Sequence, residues 1–323
     1  MHMTKVCLLG ATGFVGQHLV ARLSKAGVHC RILTRHPQRH AGLRVNPGVE
    51  LIKTDKLDSG SLVEQFQGCE TVINLIGILN ETRHASFRQI HVELVDTVVD
   101  AAIKAGVGRL LHMSALHADE ARGTSEYLRS KGEGENRAHT HGGSGLLVTS
   151  FRPSVIFGVG DSFFNRFAGL LRLSPLAFPL ACPESRFAPV WVDDVCEAFT
   201  RCLFDDNTAD QHLDLCGPRD YSLRELVDYT ARISGLKRMI LPLGNGVSRL
   251  QARLLGLMPG RPFTLDNYLS LQTDSVCQRN AFDSLGITPQ AVESIVPGYL
   301  ADGSHRGRLD RYRRAIPDFD ETA

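Results

Sequence analysis

Gly10-Ala11-Thr12-Gly13-Phe14-Val15-Gly16 decides the fold when read outward in both directions. Ahead of it, residues 5–9 form a short β-rich apolar run. Behind it, residues 15–26 carry apolar side chains at helical spacing and stop at Gly27, a residue suited to ending a helix. Strand, glycine loop and helix in that order form a phosphate-binding crossover. Gly10 allows a tight turn, Gly13 lets the backbone approach a pyrophosphate, and Gly16 lets the helix pack against the strand. The helix N-terminus adds free N–H groups and a partial positive charge. Gly10, Thr12, Gly13, Phe14, Val15 and Gly16 are therefore the expected dinucleotide contacts of this loop. A glycine turn without a ligand is the plain alternative, and the strand-loop-helix context argues against it.

The alternation continues. Strands are expected at residues 30–34, 49–54, 71–76, 109–113 and 146–152, and helices at 59–66, 87–105 and 124–139. Strands alternating with helices imply a parallel sheet covered on both faces. The fold class is thus α/β, a Rossmann-type doubly wound parallel sheet. Beyond it Pro153, Pro175, Pro179, Pro183 and Pro189 break the chain into loops and short helices, with helices expected at 194–204 and 223–234. The expected division is a dinucleotide-binding domain over 1–155 and a smaller, mostly helical substrate region over 156–323. No sharp linker separates them, and segments of the second return to the first.

The end of the second strand meets the adenosine ribose. An acidic residue there would hold the 2′-hydroxyl of NAD(H). This chain has Thr34-Arg35-His36 instead. A guanidinium pairs with a 2′-phosphate and stacks on adenine, so Arg35, assisted by Arg39, points to NADP(H) over NAD(H). A solvated surface arginine is the alternative. Asp55 after the third strand is a candidate partner for the adenine edge. Asn74-Leu75-Ile76-Gly77 ends the fourth strand, where Leu75 and Gly77 are expected to let the dinucleotide pass. Each also has a simple turn reading.

Ser114 ends the fifth strand, and Tyr127 and Lys131 follow at i and i+4 of a helix, on one face. A carbonyl reductase needs a proton donor beside the hydride acceptor. Free tyrosine titrates near about 10, and a neighbouring ammonium lowers that value. The expected roles are Tyr127 as proton donor, Lys131 as its activator and as a hold on the nicotinamide ribose, and Ser114 as the group that orients the substrate oxygen. A tyrosine over a solvated lysine is the ordinary alternative. Gly132 and Gly134 in the same turn cost about 1 kcal/mol each relative to alanine, which points to close packing against a cofactor or another helix.

With these motifs in view, the chain resembles the extended and atypical short-chain dehydrogenase/reductases. Within them it is similar to bacterial relatives of the nucleotide-binding accessory subunit of mitochondrial respiratory complex I. The likeness covers most of the chain: GATGFVG at residues 10–16, NLIG at 74–77, SEYLRSKGEGE at 125–135, FRPSVIFGVGD at 151–161, FAPVWVDDV at 187–195, and LMPG at 257–260 ahead of 263–271. The resemblance implies that residues 152–158 run along the nicotinamide, making Pro153, Ser154 and Val155 cofactor neighbours. It also implies that Asp193 or Asp194 caps the next helix. Trp191 stands where many extended members carry histidine, which weakens any transfer of sugar-nucleotide epimerase chemistry. Related reductases are associated with quinone biosynthesis, and some members bind nucleotide without established turnover.

Composition bounds the rest. A net charge of +1, with no zinc-finger spacing, no RNP-like strand and no broad basic stripe, gives no expectation of nucleic-acid binding. No apolar run reaches the about 18 residues of a membrane span, and no secretory leader is read at the start. A cytoplasmic protein, or one peripheral on the inner face of the membrane, is expected. The eight cysteines form no CxxC pair and are expected as buried reduced thiols. The thirteen histidines show no metal-ligand spacing, so no metal is expected. Residues 161–173 and 177–187 are rich in Phe, Leu and Pro and fit either a roomy apolar pocket or ordinary core. Val247, Leu250, Leu254, Leu257 and Met258 form a stripe away from Arg249 and Arg253. Packing on the domain is the commoner outcome for such a helix, a membrane surface the rarer. The arginines of residues 305–314 suggest a solvated tail or an anionic partner. The functional expectation is an NADP(H)-dependent oxidoreductase acting on an apolar, quinone-like or isoprenoid small molecule. Its rivals are a non-catalytic accessory or assembly subunit of a respiratory or quinone-biosynthesis complex and, last, a redox-sensing regulator. The oligomeric state stays open.

Overall fold

The computed structural model describes residues 4–143, 145–258 and 261–301. The arginine-rich stretch 305–314 and the Pro-Gly of LMPG lie outside these residues. Seven parallel strands form the central sheet: β1 (Lys5–Leu9), β2 (His29–Thr34), β3 (Val49–Lys53), β4 (Thr71–Asn74), β5 (Arg109–Met113), β6 (Leu147–Pro153) and β7 (His212–Leu215). Their order is β7-β6-β5-β4-β1-β2-β3. The order reverses between β1 and β4, and in open α/β sheets ligands bind in the crevice beyond the strand ends at such a point.

Successive strand residues point to opposite faces, and both faces here are covered. Val6 and Leu8 join Ile32, Ile73, Leu111 and Phe151 beneath α1 (Phe14–Lys25) and α6 (Val192–Phe204). Cys7 and Leu9 join Val72, Leu110 and Val148 beneath α2 (Ser59–Phe66), α3 (Leu94–Lys104) and α4 (Glu126–Gly142). A second core gathers Phe157, Phe164, Leu171, Leu226 and Ile240 between α5 (Phe164–Leu173) and α7 (Leu223–Ile233). Two short parallel strands, Ala177–Leu180 and Met239–Pro242, lead on to α8 (Asn245–Gly256) and α9 (Leu265–Ser270).

Several expectations change. β7 lies in the half expected to be irregular, because four residues are too few to show a period. The helix expected over 87–105 is interrupted by a π turn at Gln89–Glu93 before α3. That turn pushes the His91 carbonyl against α4: a Cβ on Gly134 would lie 1.8 Å from it, and one on Gly132 would lie 2.5 Å from the Glu120 amide. Both glycines therefore serve backbone packing rather than a cofactor. Neither Asp193 nor Asp194 caps α6. The cap is Trp191, without a side-chain bond; Asp193 pairs with His18 at 2.9 Å, and Asp194 accepts the Gln290 N–H at 2.7 Å.

The cysteine expectation fails at one pair. Cys7, Cys30, Cys69, Cys182, Cys196 and Cys202 are free and buried, but Cys216 and Cys277 form a disulfide across 61 residues. Asn280 brings the partners together by donating to the Cys216 carbonyl at 2.8 Å, a proximity that spacing alone does not reveal. The α8 stripe does not pack on the domain: Val247, Leu250, Leu254, Leu257 and Met258 are all exposed.

Packing at Gly134 and open space at Gly169, where nothing lies within 4 Å of an added Cβ, predict opposite outcomes for one substitution. In urea unfolding, Gly134→Ala should destabilise by about 3 kcal/mol or more, whereas Gly169→Ala within α5 should stabilise by up to about 1 kcal/mol. Equal effects at the two sites would contradict the packing described.

Candidate functional site

The glycine loop forms from the sharp exit of β1. Gly10 has φ +77°, and a Cβ there would sit 2.9 Å from the Leu75 backbone, so the turn and the β4 exit close on each other only at glycine. A Cβ on Gly16 would lie 2.3 Å from Cα of Ala11. The contact it permits is thus with the loop rather than the strand. Gly13 is the N-cap of α1 and provides no side-chain acceptor, and the first turn contains no carboxylate. The first amides of α1 are left to an anion. The half-exposed Thr12 lies in the same loop, its carbonyl accepting from Gln17 at 2.8 Å. This cradle fits the diphosphate of a dinucleotide.

Arg35 and Arg39 are exposed beyond β2. Asp55 is exposed too, and its carboxylate meets the Lys53 ammonium at 3.4 Å. Lys53 is paired with Thr34 in the β2–β3 register and adds a cation to this edge that the motif reading missed.

At the other end α4 faces the exits of β4 and β5. Ser125 caps it by accepting the Leu128 N–H, and Asp266 of α9 accepts the Glu126 and Tyr127 amides at 2.7 and 3.3 Å. The Lys131 ammonium is buried, donates to the Met113 carbonyl at 2.5 Å and lies 3.8 Å from where a Gly77 Cβ would stand. Burial lowers it to about 8, against a smaller opposing effect of Glu135. Tyr127 lines the cavity, and its hydroxyl has no hydrogen-bond partner among the described residues. Burial, then the Asp266 carboxylate, raises the phenol to about 12. This overturns the expected lowering by Lys131, whose ammonium is directed to the Met113 carbonyl.

His91 was not singled out from the sequence, yet it braces the site. Its Nε2 accepts the Ile78 N–H at 3.1 Å, so the other nitrogen carries the proton and donates to Ser130 Oγ at 2.9 Å. Its ring meets Tyr127 edge-on at 5.6 Å. Ser114 also differs from expectation. Its hydroxyl donates to Glu135 Oε2 at 2.5 Å, so its oxygen faces the cavity as an acceptor. Glu135 is fully buried and also receives Arg152 Nε at 2.7 Å and the His212 ring. Although burial pushes the other way, these partners hold its carboxyl down at about 2. The donor atoms of Glu135, His139 and His212 lie within 4.8 Å of one another, a grouping the spacing did not suggest. The Arg152 guanidinium already neutralises that carboxylate, so the cluster reads as an ion-paired support for Ser114.

Phe14, Val15, Leu75, Gly77, Ser114, Tyr127, Lys131, Pro153, Ser154 and Val155 all line one cavity of about 800 Å³. The Ser154 hydroxyl itself is turned to the Ser275 carbonyl at 2.7 Å. The cavity extends past the loop into an apolar chamber walled by Phe163, Phe167, Leu170, Phe178, Phe187 and Leu255. Of the Phe/Leu-rich segments, one helical face builds this wall and the other, with Phe164 and Leu171, enters the second core.

His91 and His112 give the site an acid sensitivity. Burial, then the Lys131 charge, holds each at about 3, whereas a free histidine titrates near about 6.5. The unfolded chain therefore binds more protons in between, so the stabilisation is complete above about 6.5 and is lost as pH falls towards about 3. Glu135 adds a loss of the same sign below about 4.3, while Asp194, raised to about 6 by burial, opposes part of it. Calorimetry should show Tm falling steadily from pH 6.5 to 4; a flat profile would contradict the burial of two neutral imidazoles.

Residues 10–156 match the NAD(P)H-binding family. Mitochondrial NADH dehydrogenase (ubiquinone) 1 alpha subcomplex subunit 9 of Mus musculus is 30% identical over 295 residues, which cover 88% of this chain and 77% of the mouse protein. A ceramide reductase of Caulobacter vibrioides is 31% identical over 189 residues, 58% of this chain and 57% of that enzyme. The solved NADPH complex of an NADPH-dependent quinone oxidoreductase from Escherichia coli shares the fold, with a TM-score of 0.72 at 18% identity over 90% of this chain and 98% of that one. Loop, sheet order and relatives agree, and the chain belongs to the family of complex I alpha subcomplex subunit 9, NAD(P)H-binding proteins built on the extended short-chain dehydrogenase/reductase fold.

Proposed function

We propose that the chain is an NADP(H)-dependent oxidoreductase that reduces a carbonyl, or oxidises the corresponding alcohol, on a largely apolar substrate. The observation that carries this reading is a single cavity that runs from Phe14 and Val15 at the α1 N-terminus past Lys131 and Tyr127 into an apolar chamber. The bound nicotinamide supplies hydride. Tyr127, a neutral phenol at pH 7, gives its proton to the oxygen as charge develops there. Lys131 keeps a positive charge beside Gly77 and holds the nicotinamide ribose. Ser114, its own proton held by Glu135, accepts from the alcohol. Pro153, Ser154 and Val155 flank the nicotinamide. The chamber suits a quinone-like, isoprenoid or other long-chain compound, in keeping with the likeness to a ceramide reductase. The Rossmann unit is taken as residues 1–155 and the substrate region as 156–323.

A second reading is a nucleotide-binding accessory subunit, docked on a membrane or membrane complex with the dinucleotide as a structural ligand. The 30% identity to a complex I subunit over 88% of the chain favours it. An intact Tyr127–Lys131 pair on an open chamber favours turnover.

Two measurements test the enzyme reading. Tyr127→Phe should lower turnover by roughly 10²–10⁴-fold with NADPH binding unchanged, as expected for loss of a positioned acid. Full turnover in that variant would remove Tyr127 from the role. Titration calorimetry should show tighter binding of NADPH than NADH, and Arg35→Ala should cost NADPH roughly 10–100-fold while sparing NADH, the range for a charge-assisted pair. Equal affinities in the unaltered protein would remove the NADP(H) assignment.

A further inference from the structure

We infer that α8 and the segments beside it dock the chain on an anionic bilayer, with the chamber mouth turned to the lipid, so that a long-chain substrate enters sideways. The docking stands on its own observations; the entry route rests on the reductase reading.

Helix α8 has four distinct faces. Ser248 and Ala252 are buried. Gln251 and Leu255, with Met258 in the turn beyond, line the chamber. Val247, Leu250, Leu254 and Leu257 face outward, 55%, 55%, 58% and 85% exposed. Arg249 and Arg253 are exposed on the remaining face. At 3.6 residues per turn the outward apolar stripe lies directly beside the chamber-lining stripe, so α8 forms the lip of the chamber.

The apolar surface continues off the helix. Leu173, Leu176, Met239 and Leu241 are exposed, and the Met239 N–H donates to the Leu176 carbonyl at 3.1 Å. Gln251 reaches the Pro179 carbonyl at 3.3 Å, tying α8 to the strand that follows Leu176. Nine of the fourteen large exposed apolar side chains among the described residues lie on these connected elements, far from a random scatter.

Charge selects the occupant. Residues 162–183 and 236–264 carry seven arginines and lysines and no aspartate or glutamate, in a chain whose basic and acidic residues otherwise balance at 36 and 35. A second copy laid on this face by two-fold symmetry would bring cation against cation. An anionic phospholipid surface meets both properties: the leucines enter the acyl boundary while Arg172, Lys237, Arg249 and Arg253 reach the headgroups.

The test uses the full chain loaded with NADPH and vesicle co-sedimentation. Vesicles of phosphatidylglycerol mixed with phosphatidylcholine should bind at least about tenfold more tightly than phosphatidylcholine alone, and added salt should weaken the binding. Leu250→Asp/Leu254→Asp changes two exposed residues outside the cavity. It should lower vesicle affinity at least about tenfold with NADPH affinity and Tm unchanged. No binding to the anionic vesicles, or binding indifferent to this double variant, overturns the docking. So does a dimer in sedimentation equilibrium that the variant dissolves, because a second copy would then cover the face. Vesicle binding without turnover of any carbonyl substrate upholds the docking and removes the reductase reading. Turnover of a short-chain carbonyl by protein that ignores vesicles does the reverse.

Discussion

The approach of α4 to the π turn, permitted only because Gly134 has no Cβ, sets the position of the polar groups that α4 brings to the cavity floor. A side chain there would force the helix away from the His91 carbonyl. Tyr127, Lys131 and Glu135 would move with it, since all three project from that helix towards the exits of β4 and β5. The same turn aims the His91 ring at the amide of Ile78, which fixes the segment after β4 against which Lys131 lies. One backbone contact thus couples a helix, a strand exit and the imidazole between them.

Electrostatics divides this floor into two parts. Glu135 has three donors, Ser114, Arg152 and His212, and remains a carboxylate despite complete burial. Lys131 has one strong acceptor, a backbone carbonyl, and burial weakens its hold on its proton. The carboxylate is therefore a fixed structural charge, while the ammonium and the unbonded phenol of Tyr127 are the groups left facing the cavity. The burial that raises Tyr127 also keeps it protonated, which is the state a proton donor needs.

The chamber and the outer surface form one apolar system. The walls of Phe163, Phe167 and Phe178 lead to Leu255 on α8, whose outward face carries Leu250 and Leu254 beside it. No helix among the described residues is long and apolar enough to cross a membrane. The lipid contact proposed for this face lies in the plane of the surface, through the short amphipathic α8 with Arg249 and Arg253 beside its apolar stripe.

The residue sequence determined the β1-loop-α1 crossover, the alternation that builds a doubly wound sheet, and the i, i+4 pairing of Tyr127 with Lys131. All of these are local: a glycine turn, a strand period and a helical repeat span few residues, and the chain carries them whatever it folds against. Only the tertiary structure decided what those residues touch. It joined Cys216 to Cys277 and turned the Ser114 proton to Glu135. It directed the Lys131 ammonium to the Met113 carbonyl, relieved Asp193 and Asp194 of capping, and added the seventh strand. It also left one face of α8 bare, although the helical repeat alone favoured a packed one. Contacts across tens to hundreds of residues depend on burial and on which donors remain unpaired once the core has closed, and no short-range pattern records them.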